Sequence, residues 1–173
     1  MKAPYTIYSD MDGVLVDFLR GVREALGHGW DDAVFTGKEK KAQRNKSISL
    51  HKHFWENLPV ERDFDQYWGF IKNFNPHILT AYAPWDETNS KHGKVVWNQK
   101  HLHVPHERFH VVLRESKRYF AKEHDGSHFG RPNVLIDDFP INITEFEAAG
   151  GIGILHTSAA TTITKLKELG FSK

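Results

Sequence analysis

The stretch Y-S-D-M-D-G-V-L-V-D-F, residues 8–18, interrupts an apolar run with two carboxylates and a glycine. The preceding residues, Y-T-I-Y-S (5–9), have the β-branched and aromatic content of a short buried strand. Asp10 and Asp12 follow it, one residue apart, and Gly13 ends the run. A calcium-binding loop is one reading of D-M-D-G, but that loop needs glycine at its sixth position and glutamate at its twelfth. Counted from Asp10, those positions hold Leu15 and Gly21, so the calcium reading fails.

Four more runs read as strands: H-I-L-T-A (77–81), F-H-V-V-L (109–113), N-V-L-I-D (133–137) and G-I-G-I-L-H (151–156). Several are apolar on both faces, as strands of a parallel sheet covered by helices must be. Helical patterns lie between them. In T-T-I-T-K-L-K-E-L-G-F, Ile163, Leu166 and Leu169 share a stripe and Gly170 stands as the stop. I-N-I-T-E-F-E-A-A-G-G stops in the same way at Gly150, and the segments 89–102 and 115–123 read as crossover helices. This alternation predicts an α/β fold with a Rossmann-like open parallel sheet flanked by helices.

Residues 18–75 break the alternation, since they show no strand pattern and include the charged stretch G-K-E-K-K-A-Q-R-N-K (37–46). A crossover needs only about a dozen residues. The economical reading is a small, mostly helical cap at 18–75, inserted after the first strand of a core formed by 1–17 and 76–173.

The 173 residues suit one such domain, and 39% apolar with 26% charged residues is an ordinary globular composition. A net charge of +1 argues against a nucleic-acid binder working by bulk electrostatics. The absence of cysteine removes disulfides, thiolate metal sites and cysteine nucleophiles. No apolar stretch approaches the ~20 residues of a membrane span, and Pro4 and Asp10 interrupt any signal-like run. The expectation is a cytoplasmic protein with no membrane partner.

Ligands of open α/β sheets bind beyond the carboxyl ends of the strands. There the sequence places Asp10 and Asp12 after the first strand, Thr80 and Ala81 at the end of the second, and Asp137 and Asp138 at the fourth. Arg114 and Lys117 follow the third strand in R-E-S-K. Any one of these is more often a turn, cap or strand residue. Their convergence on one edge is the signal of a site.

D-M-D-G-V, I-L-T-A, Lys117 and V-L-I-D-D resemble the four motifs of the haloacid-dehalogenase-like phosphohydrolases and span most of the chain. H-F-W-E-N-L-P (53–59), I-L-T-A-Y-A-P-W, V-V-L-R-E-S-K and L-I-D-D-F-P-I-N-I resemble more narrowly the 5'(3')-deoxyribonucleotidases. The resemblance implies Mg²⁺-dependent hydrolysis of a phosphomonoester, with a (deoxy)nucleoside monophosphate as substrate. It implies Asp10 as nucleophile, needing no base because a carboxylate is already ionised, and Asp12 as acid and base. It also implies metal ligation by Asp10, the Asp12 backbone carbonyl and one of Asp137 and Asp138. Thr80, Ala81, Lys117 and Gly13 then hold the phosphate.

Phe18 and Trp55 are the implied base-contacting residues, with Phe54 and Trp68 as further aromatics of the cap. The basic run Lys38, Lys40, Lys41, Arg44 and Lys46 reads as a solvated helix face or a means of steering anions. Among the 12 histidines, His101 and His103 lack the H-E-x-x-H or cysteine partners of a zinc site, so they read as surface residues. The rival functions are a 3'-phosphatase of nucleic-acid ends, a small-metabolite phosphatase and a catalytically silent nucleotide-binding module. Oligomeric state is left open, a homodimer included.

Overall fold

The computed structural model describes residues 4–27 and 37–172, so residues 28–36 of the expected insertion lie outside the described residues. Five parallel strands form one sheet in the order β3-β2-β1-β4-β5. They are β1 (Ile7–Ser9), β2 (His77–Ala81), β3 (Phe109–Val112), β4 (Val134–Asp137) and β5 (Ile152–Leu155). Each falls inside a run read from the sequence, and the Rossmann-like α/β class stands. The helices are α1 (Phe18–Leu26), α2 (Lys38–Ser49), α3 (Phe64–Ile71), α4 (Glu87–His101), α5 (Pro140–Ala148) and α6 (Ala159–Glu168).

Side chains alternate across a strand, and here both faces are apolar. Ile7, Ile78, Val134, Ile136 and Ile154 enter one core with Tyr67 of α3, Trp97 of α4 and Leu166 of α6. Tyr8, Leu79 and Leu135 enter the other with Ile143 and Phe146 of α5. The expected crossover helix at 115–123 is instead a 3₁₀ helix, Arg114–Phe120. The tighter turn suits a short connector, and it carries Lys117 inward from the end of β3.

The strand order decides where a site can form. The chain leaves β1 towards β2 and β3, then returns to place β4 on the other side of β1. The crevice at such a reversal, beyond the carboxyl ends, is the natural binding place. Register puts Ser9 beside Ile136, and the Asp10 N–H donates to the Ile136 carbonyl at 2.9 Å. Asp10 and Asp137 are therefore neighbours by sheet pairing alone.

Residues 11–16 form a compact loop in which the Leu15 and Val16 N–H groups donate to the Met11 carbonyl at 2.8 and 2.9 Å. Val16 then bridges antiparallel to Val60, with Asp17 N–H donating to Pro59 O at 2.9 Å and Glu61 N–H to Leu15 O at 3.0 Å. The chain between leaves and re-enters through this neck. It carries α1, α2 and a 3₁₀ turn, Trp55–Asn57, and the indole N–H of Trp97 donates to Leu58 O at 2.8 Å. Beyond the neck α3 lies on the sheet, where Tyr67 shares a 2.8 Å hydrogen bond with Ser9.

Candidate functional site

Asp10 stands at the end of β1 with its carboxylate buried, 2.9 Å from the Lys117 ammonium. Lys117 is itself buried and reaches Asp137 at 2.7 Å. Burial alone would lower the Lys117 pKa, but Asp10 and Asp137 together hold it above its ordinary value. One ammonium thus ties the end of β1 to the end of β4.

Asp137 is fully buried and has its oxygens committed. Oδ1 accepts from the Phe139 N–H at 2.9 Å and Oδ2 from Lys117 at 2.7 Å, while the Asn142 amide donates to both at 3.0 and 2.9 Å. Burial and the Asp10 charge raise its pKa to about 6, against the opposing pull of Lys117. Asp138 differs. Its carboxylate lies over Gly13, where a Cβ would meet Oδ2 at 2.1 Å. Loss of hydration there, followed by Asp10, Asp137 and Asp12, raises its pKa to about 7. Gly13 has φ +73°, so the turn and the close approach both require glycine.

Asp10, Asp137 and Asp138 each offer an oxygen, all within 4.8 Å of one another. Three carboxylates this close, two of them with raised pKa values, form an excess of negative charge that a hard divalent cation relieves. The donor set is all oxygen, as Mg²⁺ requires. Among the described residues no other group of three or more histidines and acids has ligand geometry, and His101 lies tilted against Trp97 with ring centres 4.4 Å apart.

Asp12 takes the opposite side of the loop. Its Oδ2 pairs at 2.7 Å with the ammonium of Lys94, while Oδ1 is buried without a hydrogen-bond partner. Lys94 also donates to Thr80 Oγ1 at 3.0 Å. Lys94 is the residue that the sequence reading missed. It lies on α4, whose buried residues Ser90, Gly93, Lys94, Trp97 and Asn98 make one stripe. A lysine on the inward stripe of an amphipathic helix is the signal that would have found it.

Beyond the acids opens a cleft of about 720 Å³, with Asp10, Asp12, Gly13 and Asp138 at its base and Ala81 in its wall. Phe18, Trp55, Trp85 and Phe139 line its sides, and Arg44 and Arg114 reach it from two directions. Trp55 is almost wholly buried, its N–H donating to Asp86 at 2.7 Å and its ring 5.9 Å from that of Phe18. Arg44 of the basic run lies over the Phe18 ring at 5.5 Å. Arg114 also pairs with Glu145 at 3.0 Å. Thr80 and Lys117 are buried behind the cleft base, while Phe54 packs in the core and Trp68 against it.

No family model matches the sequence, and no curated protein matches it. Among solved structures, a hydrolase from Streptococcus pneumoniae TIGR4 aligns with TM-score 0.53 and 15% identity over 96% of this chain and 100% of that one. A hydrolase from Pseudomonas syringae gives 0.46 and 14% over 95% and 90%. A HAD-family hydrolase from Deinococcus radiodurans R1, with bound phosphate and sodium, gives 0.43 and 11% over 98% and 90%. The first of these likenesses spans both chains nearly end to end and shows a shared fold.

Proposed function

We propose that this chain is a Mg²⁺-dependent phosphomonoester hydrolase of the haloacid-dehalogenase type, working through an aspartyl phosphate. The observation that carries the reading is the convergence of Asp10, Asp137 and Asp138 within 4.8 Å, with Lys117 set between Asp10 and Asp137. A Mg²⁺ held by Asp10, the Asp12 backbone carbonyl and Asp138 would offset the charge of a phosphate approaching Asp10. Asp138 is the better ligand of the pair, because the oxygens of Asp137 are already occupied by Lys117, Asn142 and the Phe139 N–H.

The chain's own residues then divide the work. An Asp10 oxygen attacks phosphorus as the ester P–O bond breaks, and the departing oxygen takes a proton from Asp12. The products are the free alcohol and phosphorylated Asp10. Water next attacks phosphorus, Asp12 accepts its proton, and the bond to Asp10 breaks to release inorganic phosphate. Lys117 and Thr80 supply charge and a hydroxyl to the phosphoryl oxygens, each worth ~3–4 kcal/mol in such sites.

The aromatic walls favour a substrate with a flat ring, and we assign the cleft to a (deoxy)nucleoside monophosphate whose base lies against Phe18 and Trp55. The segment carrying α1 and α2 acts in this reading as a cap over that ring. A phosphate-release panel of nucleotides, sugar phosphates and 3'-phosphorylated oligonucleotides tests the substrate class, with nucleotides expected to lead. Asp10→Asn is expected to keep the fold and lose turnover; activity retained in that variant rejects the nucleophile.

A further inference from the structure

We propose that Lys94 is a positioning residue for proton transfer at the ester oxygen, an inference that rests on the hydrolase reading above. Three features of its surroundings carry the argument. Lys94 has 1% of its surface exposed, yet it bears a charge on the buried stripe of α4. A buried ammonium is costly unless every donor is used. Here its donors meet Asp12 Oδ2 at 2.7 Å and Thr80 Oγ1 at 3.0 Å, and its third face lies 5.7 Å from the centre of the Trp55 ring. The helix comes close enough because residue 93 is glycine; a Cβ there would meet Trp55 Cβ at 2.3 Å.

The consequence is directional. With Oδ2 of Asp12 held by Lys94, Oδ1 is the atom left without a partner, in a setting that excludes water. Because Oδ1 is shut off while the side chain as a whole is 34% exposed to the cleft, Oδ2, the oxygen that Lys94 holds, is the one that can exchange a proton with the ester oxygen and then with water. Thr80 is constrained in the same way. Its oxygen already accepts from Lys94, so its own hydrogen is left to donate to a phosphoryl oxygen. One ammonium therefore sets the orientation of both groups, and among the described residues neither the Asp12 carboxylate nor the Thr80 hydroxyl makes another side-chain hydrogen bond. Lys117 is separate, since it serves Asp10 and Asp137.

Leaving-group dependence tests this. The reaction of p-nitrophenyl phosphate releases a stable phenolate and needs little proton donation, whereas a deoxynucleoside 5'-monophosphate releases an alkoxide and needs it fully. Lys94→Met is expected to lower kcat for the nucleotide by ~100-fold and for p-nitrophenyl phosphate by under ~10-fold, the difference being what a positioned general acid supplies. KM should change little for either ester. Lys94→Gln, which is one bond shorter and uncharged but keeps N–H donors, is expected to fall between wild type and Lys94→Met on the nucleotide and gives the same comparison where the Met variant does not fold. Equal losses on both esters, or a change confined to KM, overturn the inference while leaving the hydrolase reading intact. A wild-type protein that hydrolyses neither ester with Mg²⁺ overturns the hydrolase reading itself.

Discussion

At the scale of single residues, the site depends on atoms that approach more closely than ordinary side chains allow. Gly13 is the sharpest case. It combines φ +73° with an Asp138 oxygen where its Cβ would stand. Gly13→Ala should cost about 1–3 kcal/mol from the backbone alone, read as a lower urea midpoint. It should also displace Asp138 and abolish turnover. Asp137 shows the complementary logic: a buried carboxylate that accepts four hydrogen bonds from three donors is a strut between β4, α5 and Lys117. Both aspartates were legible as strand-end acids. Their different roles were not, because hydrogen-bond saturation depends on Asn142 and the Phe139 N–H arriving from the next helix.

At the scale of elements, β2 and β3 are joined by more than their ladder. His77 and His110 stack with ring planes 6° apart, and His77 Nδ1 lies 2.9 Å from His110 Nε2. One ring must donate and the other accept, so the accepting ring at least must be neutral. Burial first, then His110 and Arg108, lower the His77 pKa to about 4, with Glu123 and Glu107 opposing. The unfolded chain therefore binds this proton more readily than the fold. The stability contributed by the neutral pair is fully present above the ordinary value of 6.5 and is lost as pH falls towards about 4. Urea midpoints measured across that range should fall with pH in the wild type and fall less steeply in His77→Gln. The strands themselves were plain in the sequence, since apolar runs bounded by turn residues are local. The 3₁₀ form of Arg114–Phe120 was not, because that segment's shape follows from having to bring Lys117 between two strand ends.

At the scale of the whole molecule, the sheet order brings an excess of negative charge to one crevice, and folding must tolerate it. A cation bound only by the folded chain stabilises it by mass action. At a hundredfold excess over Kd the gain is ~2.7 kcal/mol, or a melting shift of about 5–10 °C for a chain of this size. Thermal melts with Mg²⁺ against a chelator should show that rise, and Asp138→Asn should erase most of it. No described helix is long and apolar enough to cross a membrane. The sequence by itself determined the five strands, the acids that end them and the long strand-free stretch between the first two, because periodicity, turn chemistry and chain length are local properties. Only the tertiary structure decided that Asp138 rather than Asp137 is open to a ligand, and that Lys94 stands between Asp12 and Thr80. Those outcomes depend on which charges meet across strands and helices far apart in the chain, and no local pattern encodes a distance between them.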